Sequence, residues 1–154
     1  MNIRDYQATD IPEMLAVIKA AFAEYQGRLD PPSSAERKTV AIMQAELAEA
    51  NALVAVADDT VVGCVFYRPQ GDGIYLDRLA VLPTYRRQGI AGALLNAVEQ
   101  KAVTAGHSAL YLSVRLVLTE QQAFYQQRGF VVHAYDTHEG YAAPTSIKMR
   151  KALA

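Results

Sequence analysis

The sequence predicts an α/β fold in which a mixed sheet of about seven strands is flanked by about four helices. Two observations support this prediction. In the first half, a short strand and two helices are followed by three strand-like runs in succession. In the second half, helical patterns alternate with strand patterns until the last two strands. No repeat, low-complexity segment or linker interrupts this order, so residues 1–154 are expected to form a single domain.

The N-terminal part contains the first strand and two helices. "NIRDY" predicts a strand, and "ATDIPEMLAVIKAAFAEY" predicts a helix that Thr9 or Asp10 can cap. The apolar residues of this helix recur at helical spacing: Ile11, Met14, Leu15, Ile18 and Phe22. Two consecutive prolines in "DPPSS" prevent the helix from continuing. A second, more polar helix is expected from about Ala35 to Ala48.

The remaining elements are predicted from apolar runs and the turns between them. "ALVAVAD" and "VVGCVFYRP" are strand patterns separated by Asp58 and Asp59, which predicts a hairpin. "GDG" at 71–73 predicts a turn into the strand "IYLDRLAVLP". A helix is expected from Gly89 to Ala105. After it come the strand "SALYLSVRL", the short helix "TEQQAFYQQRG", and the strands "FVVHAYD" and "TSIKMRKA".

Composition and charge exclude several classes of protein. The chain is 51% hydrophobic with a formal net charge of −1, so no overall positive charge favours nucleic acid or an anionic membrane as a partner. Neither a long apolar stretch nor a signal-peptide pattern is present, so a cytoplasmic protein is expected. Cys64 is the one cysteine, in a strand pattern, and is expected to lie in the core. The histidines His107, His133 and His138 lack metal-ligand spacing, so no metal site is expected.

"TYRRQGIAGALL", residues 84–95, places arginines and small residues at the start of a helix, directly after a strand. The first N–H groups of a helix have no partners within it, and the helix dipole adds positive potential there. Small residues let an anion approach these groups and arginines add charge, so the pattern favours phosphate binding. Close packing of helix on sheet, with merely solvated arginines, explains the same residues. The P-loop and G-x-G-x-x-G patterns are absent from this stretch.

The longer stretch "LDRLAVLPTYRRQGIAGALL" resembles the signature of the GNAT superfamily of acetyl-CoA-dependent N-acetyltransferases. In that family a strand leads to Arg/Gln-x-x-Gly-x-Gly/Ala at a helix start. A second stretch, "AFYQQRGF" at 123–130, is similar to a further family motif, and the predicted order of elements resembles the family's over nearly the whole chain. The resemblance implies a mostly antiparallel sheet with a splayed central parallel pair, here the strands at 74–82 and 108–116.

The same resemblance implies that acetyl-CoA binds as the acyl donor, without a metal. In the family, main-chain amides of the glycine-rich turn hold the pyrophosphate, and the preceding strand pairs with the pantetheine arm. The residues that match the turn are Arg86, Arg87, Gln88, Gly89, Ile90, Ala91 and Gly92, and those that match the strand are Leu79, Ala80 and Val81. Gln121, Phe124 and Tyr125 match positions on the next helix, where many relatives have asparagine in place of Gln121.

Tyr125 matches the family tyrosine that lies near the thioester sulfur. The resemblance implies that it is a general acid, which protonates the CoA thiolate as it leaves. A tyrosine that packs on the core beside Phe124, with its hydroxyl satisfied, is the alternative.

Asp77 is the predicted general base for the acceptor amine. The N–H of Ala80 or Val81 is the predicted donor to the thioester carbonyl. An exposed aspartate paired with Arg78 or another cation is the alternative for Asp77. Many relatives carry a glutamate near the start of this strand, where this chain has Tyr75.

The sequence therefore predicts an acyltransferase that moves an acetyl group to a primary amine by direct attack in a ternary complex. The acceptor is a small molecule or a protein N-terminus or lysine. Tyr25, Arg28 and Asp30, together with "THEGYAAP" at 137–144, are expected to line its site. The alternative function is a catalytically inactive acetyl-CoA-binding sensor or interaction module. Relatives often form homodimers through late strands, but no residue pattern here indicates one.

Overall fold

Seven strands and four α-helices make up the protein in a computed structural model, which describes residues 1–153. The strands are β1 (Asn2–Asp5), β2 (Asn51–Ala57), β3 (Thr60–Gln70), β4 (Gly73–Val81), β5 (Ala109–Arg115), β6 (Val131–Asp136) and β7 (Ser146–Ala152). The helices are α1 (Ile11–Phe22), α2 (Val40–Leu47), α3 (Ile90–Thr104) and α4 (Thr119–Gln126). Short 3-10 helices lie at Ala8–Asp10, Ala23–Tyr25, Ser34–Arg37 and Pro83–Tyr85.

The strands form one sheet in the order β1-β2-β3-β4-β5-β7-β6. The pairings β1–β2, β2–β3, β5–β7 and β6–β7 are antiparallel, whereas β4 and β5 are parallel. The register of this parallel pair covers only the first three residues of each strand, from Gly73 opposite Ala109 to Tyr75 opposite Tyr111. The predicted fold class, a mostly antiparallel sheet of seven strands with one central parallel pair, is confirmed.

The chain divides into two compact units. The first contains Met1–Arg68 and Asp77–Lys101, and the second contains Pro69–Leu76 and the chain from Ala102 onward. β3 and β4 pass through both units.

In the first unit, α1 and α2 pack on one face of β2 and β3. α1 buries Ile11, Met14, Val17, Ile18 and Ala21 against a core that includes Met43, Val54, Cys64 and Phe66. Cys64 is fully buried, as expected. The hairpin between β2 and β3 is also confirmed: Asp58 and Asp59 both adopt left-handed backbone, with φ of 53° and 59°, as a tight two-residue hairpin turn requires.

The start of α1 differs from the prediction in one detail. Asp10 precedes the helix but makes no side-chain bond to its N–H groups. Its carboxylate instead accepts the Gln7 N–H at 2.7 Å and two bonds from the Arg4 guanidinium, at 2.8 and 3.0 Å. Asp10 therefore stabilises the short helix before α1 and ties it to β1.

The second predicted helix, residues 35–48, is divided in the structure. A 3-10 helix at Ser34–Arg37 is followed by extended backbone at Lys38, and α2 begins only at Val40. Thr39 caps α2 by accepting the Ile42 N–H at 3.2 Å. The break turns Lys38 inward, where it is only 3% exposed.

The second unit is built on β5, β7 and β6. β7, the last strand of the chain, lies between β5 and β6, and β6 forms the edge of the sheet. Leu110, Leu112, Phe130, Ile147 and Met149 are buried here. Gly73 is required at the start of β4, because a β-carbon there would overlap the Ala109 carbonyl. Within the described residues, no helix combines the length and apolarity needed to cross a membrane.

Candidate active site

The turn between β4 and α3 has an unusual backbone. Arg87 and Gly89 both adopt left-handed conformations, with φ of 65° and 79°. Such a conformation costs a non-glycine residue about 1–2 kcal/mol, and residues held in it cluster at ligand sites. The predicted glycine-rich turn is therefore also the most strained part of this connection.

α3 begins at Ile90, and its first hydrogen bond runs from the Ala93 N–H to the Gly89 carbonyl, at 3.0 Å. The N–H groups of Ile90, Ala91 and Gly92 precede this bond and have no carbonyl within the helix to accept them. Arg87, Gln88 and Gly89 are exposed. The turn thus places main-chain donors that have no partner within the helix at the positive end of a 15-residue helix.

Arg86 is oriented toward α1. Its Nη2 donates to the Ala21 carbonyl at 3.1 Å, and its Nη1 lies 3.2 Å from Glu24 Oε1. These contacts anchor the turn to the end of α1. Arg87, by contrast, is the residue with the left-handed backbone, and its side chain is exposed.

The end of β4 packs tightly against β3 and α3. Ala80 is 3% exposed and Val81 is 9% exposed, whereas Leu79 is half-buried. The Leu82 N–H donates to the Val62 carbonyl at 2.8 Å, which holds the start of the turn against β3. Leu79, Ala80 and Val81, which are predicted to pair with the pantetheine arm, form the end of β4, just before the turn.

β4 is irregular at Arg78, whose φ of 53° places a left-handed residue inside a strand. Such an irregularity interrupts the alternation of side chains and redirects its neighbours. Here Arg78 contacts Ser34 Oγ through Nη2, and the adjacent Asp77 approaches Arg68 on β3. Nothing in the sequence pattern of β4 indicated this feature.

Asp77 lies beside two arginines, but its pairing is weak. Its Oδ2 is 4.0 Å from Arg68 Nη1, and the guanidinium of Arg78 is bonded to Ser34. The pKa of the Asp77 carboxyl is raised because surrounding atoms remove water from it, and this outweighs the opposing influence of Arg78 and Arg68. Asp77 is therefore a half-buried aspartate with a raised pKa and a distant cationic neighbour, and its role as the general base stays a prediction.

A buried ion pair lies close to this region. Lys38 pairs with Glu46 on α2, and its amine is 5.9 Å from the centre of the Phe66 ring. Lys38 also acts electrostatically on both Asp77 and Cys64. Burial raises the pKa of the Cys64 thiol to about 12, so this cysteine remains protonated and is no nucleophile. Sequence reasoning missed Lys38 and Glu46 because both were assigned to one continuous polar helix.

Tyr125 lies on α4, in the second unit, and is half-buried. Its ring packs edge-to-face on Phe124 and Phe130, at centroid distances of 5.2 and 5.6 Å. Phe130 is 2% exposed, so it anchors the tyrosine to the core of this unit. Arg128 stacks on Phe124 at 3.7 Å, and Gln121 is half-buried on the same helix. The ring of Tyr125 therefore packs against the core beside Phe124. This packing is compatible with either a structural or a catalytic hydroxyl, so the role of Tyr125 stays a prediction.

The segments expected to line the acceptor site are loops. Tyr25 ends a 3-10 helix, and Arg28, which is exposed, donates to the Glu24 carbonyl at 3.1 Å. A pocket of about 120 Å³ lies in this part of the first unit. It is lined by Lys19, Phe22, Ala23, Gln26, Ala35 and Glu36. Tyr25, Arg28 and Asp30 are not among these lining residues, and their role stays a prediction.

The loop "THEGYAAP" lies between β6 and β7 in the second unit. The His138 N–H donates to Thr145 Oγ1 at 3.1 Å, and the Tyr141 N–H donates to the His138 carbonyl at 3.0 Å. These bonds order the loop. No group of three or more His, Cys, Asp or Glu side chains within residues 1–153 is arranged to hold a metal ion.

A model of the acetyltransferase (GNAT) family matches residues 15–130. An IAA acetyltransferase from Azospirillum brasilense is 38% identical over 80 residues, which make up 51% of this chain and 52% of that protein. The chain thus spans about half the length of the curated relative that it matches.

Solved structures share the fold over nearly the whole chain. PaiA N-acetyltransferase from Thermoplasma acidophilum, solved in complex with coenzyme A, superposes with a TM-score of 0.82 at 22% identity, and covers 99% of this chain and 98% of its own. The ribosomal-protein-S18-alanine N-acetyltransferase from Escherichia coli gives a TM-score of 0.76 at 22% identity, with 99% and 94% covered. Because the family model matches most of the sequence, from before the middle of α1 to the end of the second motif, the chain belongs to the acetyltransferase (GNAT) family.

Proposed function

We propose that this protein is an N-acetyltransferase that moves the acetyl group of acetyl-CoA to a primary amine by direct attack in a ternary complex. The observation that carries the proposal is the turn before α3, where left-handed backbone at Arg87 and Gly89 leads into the first N–H groups of the helix. Membership of the acetyltransferase (GNAT) family supports acetyl transfer as the reaction that this turn serves. The proposal takes the whole chain as one functional domain.

The residues of the turn fit the diphosphate of coenzyme A. Gly89 has no heavy atom within 4 Å of the place where a β-carbon would stand, so space is open on that side. The donors of Ile90, Ala91 and Gly92 and the exposed side chain of Arg87 supply positive potential. PaiA N-acetyltransferase was solved with coenzyme A, and we extend this ligand to the present chain as part of the proposal.

The thioester of acetyl-CoA supplies an activated acetyl group when bound. The main chain of Leu79, Ala80 and Val81 is proposed to pair with the pantetheine arm in the manner of an added strand. The N–H of Ala80 or Val81 is proposed to donate to the thioester carbonyl, where negative charge develops during attack. Both roles need only backbone groups, so they depend on the course of β4 rather than on side-chain identity.

Two side chains are proposed to move protons. Asp77 accepts the proton that the amine loses, and Tyr125 donates a proton to the sulfur as it leaves. The raised pKa of Asp77 supports its role, because a carboxylate with increased proton affinity is a stronger base than an ordinary exposed one. The packing of Tyr125 between Phe124 and Phe130 supports its role by fixing the direction of the ring.

The alternative is a protein that binds acetyl-CoA without turning it over, as a sensor or interaction module. The two functions separate in a pair of measurements on the full chain. Thermal unfolding with and without acetyl-CoA measures binding, and release of free CoA thiol in the presence of a broad set of amines measures transfer. Stabilisation together with amine-dependent thiol release is expected. Stabilisation without thiol release from any amine would favour the module, and no stabilisation would contradict both functions.

A further inference from the structure

We propose that the acceptor amine carries an anionic group, a carboxylate or a phosphate, and that Arg78 binds this group. The inference rests on the proposed function and deepens it by naming a substrate class. It depends on the unusual position of Arg78 within β4 and on the charges that surround it.

Arg78 has hydrogen-bonding capacity that the protein does not use. Its Nη2 donates to Ser34 Oγ, but its Nε is buried and has no partner among the described residues. A buried donor without an acceptor is costly, and in native structures such an atom calls for an explanation, such as strain, a functional role or a bound water or ion. The left-handed backbone at the same residue adds a second cost, so the structure maintains this guanidinium in an unfavourable arrangement.

The positive charge of Arg78 is only partly balanced by the carboxylates around it. Lys38 pairs with Glu46, and Arg68 Nη1 lies 4.0 Å from Asp77 Oδ2. Arg78 forms no ion pair with any carboxylate in residues 1–153. The thiol of Cys64, whose Sγ lies 3.7 Å from the Arg78 carbonyl, is neutral. Arg78 and Arg68 both act electrostatically on the single carboxylate of Asp77, and Arg78 is the one of the two that also has the unused donor.

A guanidinium matches the planar oxygens of a carboxylate, and it also binds phosphate oxygens. Arg78 follows Asp77 directly in the chain, and Asp77 is the proposed base for the amine. An acceptor that carries its amine and its anionic group a few bonds apart can therefore engage both residues at once. Small amino-carboxylates and aminoalkyl phosphates have this form, whereas polyamines add positive charge where the protein already has an excess.

The test compares matched acceptors with the full-length protein. Each α-, β- or γ-amino acid is paired with its own carboxamide, and aminoalkyl phosphates form a separate arm that identifies the anion. For the wild type, kcat/KM for the anionic member of a pair is expected to exceed that of the carboxamide by about tenfold or more. The preference is expected to lie in KM, because Arg78 binds and orients the substrate without exchanging its proton.

Arg78→Gln is expected to reduce this ratio to near one, and Arg78→Lys to restore part of it, since lysine keeps the charge but lacks the planar fork. Arg37→Gln is the matched control, because Arg37 is exposed on the neighbouring 3-10 helix, and it is expected to keep the wild-type ratio. Arg78→Lys also keeps the test valid if the glutamine variant fails to fold. Equal kcat/KM for both members of each pair in the wild type would overturn the inference, as would an equal loss for both in Arg78→Gln.

Titration calorimetry of the same compounds into the CoA-saturated protein separates this inference from the proposed function. If no amine releases thiol but the amino-carboxylates bind in an Arg78-dependent manner, the transferase function is wrong and the anion site stands. If thiol is released from uncharged amines as readily as from anionic ones, the function stands and the inference is wrong. Absence of Arg78-dependent binding in both assays contradicts the inference outright.

Discussion

Gly63 on β3 lies against the main-chain carbonyl of Ala80 on β4: a β-carbon at position 63 would stand 3.2 Å from that oxygen. The same carbon would lie 3.2 Å from Ile90 Cγ2 and from Leu94 Cδ1, both on α3. The absence of a side chain at Gly63 therefore lets the beginning of α3 approach the sheet beside the end of β4. This close approach sets the position of the strained turn relative to the strand that precedes it.

Replacement of Gly63 by valine tests this packing. The added methyl groups have no room and must displace α3 or the Ala80 carbonyl, so we expect a loss of about 1–3 kcal/mol in the free energy of unfolding and weaker coenzyme binding. Denaturant unfolding and thermal shift with acetyl-CoA measure the two effects. Gly63→Ala, which adds one carbon, is expected to show smaller changes in the same direction. A valine variant with wild-type stability and affinity would show that the packing is not limiting.

Gly89→Glu tests the assignment of the turn to the diphosphate. The new side chain places bulk and negative charge beside the first N–H groups of α3, so coenzyme binding is expected to disappear. Gly106→Glu is a matched control, because Gly106 also has positive φ, 80° against 79°, and also has no atom within 4 Å of a β-carbon. Both variants are expected to lose about 1 kcal/mol of stability from backbone strain. Unchanged affinity in Gly89→Glu, measured by calorimetry with coenzyme A, would contradict the assignment.

Tyr125→Phe tests the proposed general acid. The ring contacts to Phe124 and Phe130 are retained, so the fold and the affinity for acetyl-CoA are expected to be preserved. Loss of the proton donor is expected to lower kcat by about 10²-fold. Steady-state thiol release and thermal shift measure the two quantities, with Tyr135→Phe on exposed β6 as a control. An equal loss of turnover and affinity would assign Tyr125 to binding instead.

Asp77→Asn tests the proposed base through its pH dependence. Because the folded-state pKa of Asp77 is raised, its charged form is disfavoured in the folded protein, and its contribution to stability becomes unfavourable as pH rises through that pKa. The asparagine variant is therefore expected to unfold no more easily than the wild type at pH 7, while kcat falls by about 10²-fold. The rise of kcat with pH that reports ionisation of Asp77 is expected to vanish. A wild-type rate profile in the variant would exclude this base.

Asp10→Asn tests a purely structural carboxylate. Hydrogen bonds from Arg4, aided by the Gln7 N–H, lower the pKa of Asp10 in the folded state. Its stabilising contribution is therefore present at neutral pH and is lost as pH falls below about 4, through the unfolded and then the folded pKa. The variant is expected to lose about 1–2 kcal/mol at pH 7 and to show a smaller further loss on acidification. Asp5→Asn, at an exposed pair with Lys101, serves as control and should change the unfolding free energy little.

Much of this fold follows from local patterns. The apolar spacing of α1, the Asp58-Asp59 turn and the glycine-rich start of α3 each depend on residues within one or two turns of chain, so the sequence predicts their type and place correctly. The predicted continuous helix at 35–48 was wrong. The backbone is extended at Lys38, whose side chain turns inward and pairs with Glu46, and Thr39 then caps a new helix by accepting the Ile42 N–H.

The cluster around Arg78 could not be predicted in the same way. Alternation along "IYLDRLAV" indicates a regular strand, and nothing local distinguishes Arg78 from its neighbours. Its side chain contacts Ser34 and its carbonyl lies beside Cys64 on β3, and both of these residues are distant from it in sequence. The anchoring of Arg86 to Ala21 and Glu24 has the same origin.

The amino-acid sequence by itself determined the kinds of element, their order and the family to which they belong, because periodicity, caps and short motifs act over a few residues. The tertiary structure alone decided that β7 lies between β5 and β6, that β4 carries a left-handed arginine, and which charges meet beside it. These features depend on the free energy of packing segments that are far apart in the chain, and such energies leave no periodic trace in the sequence.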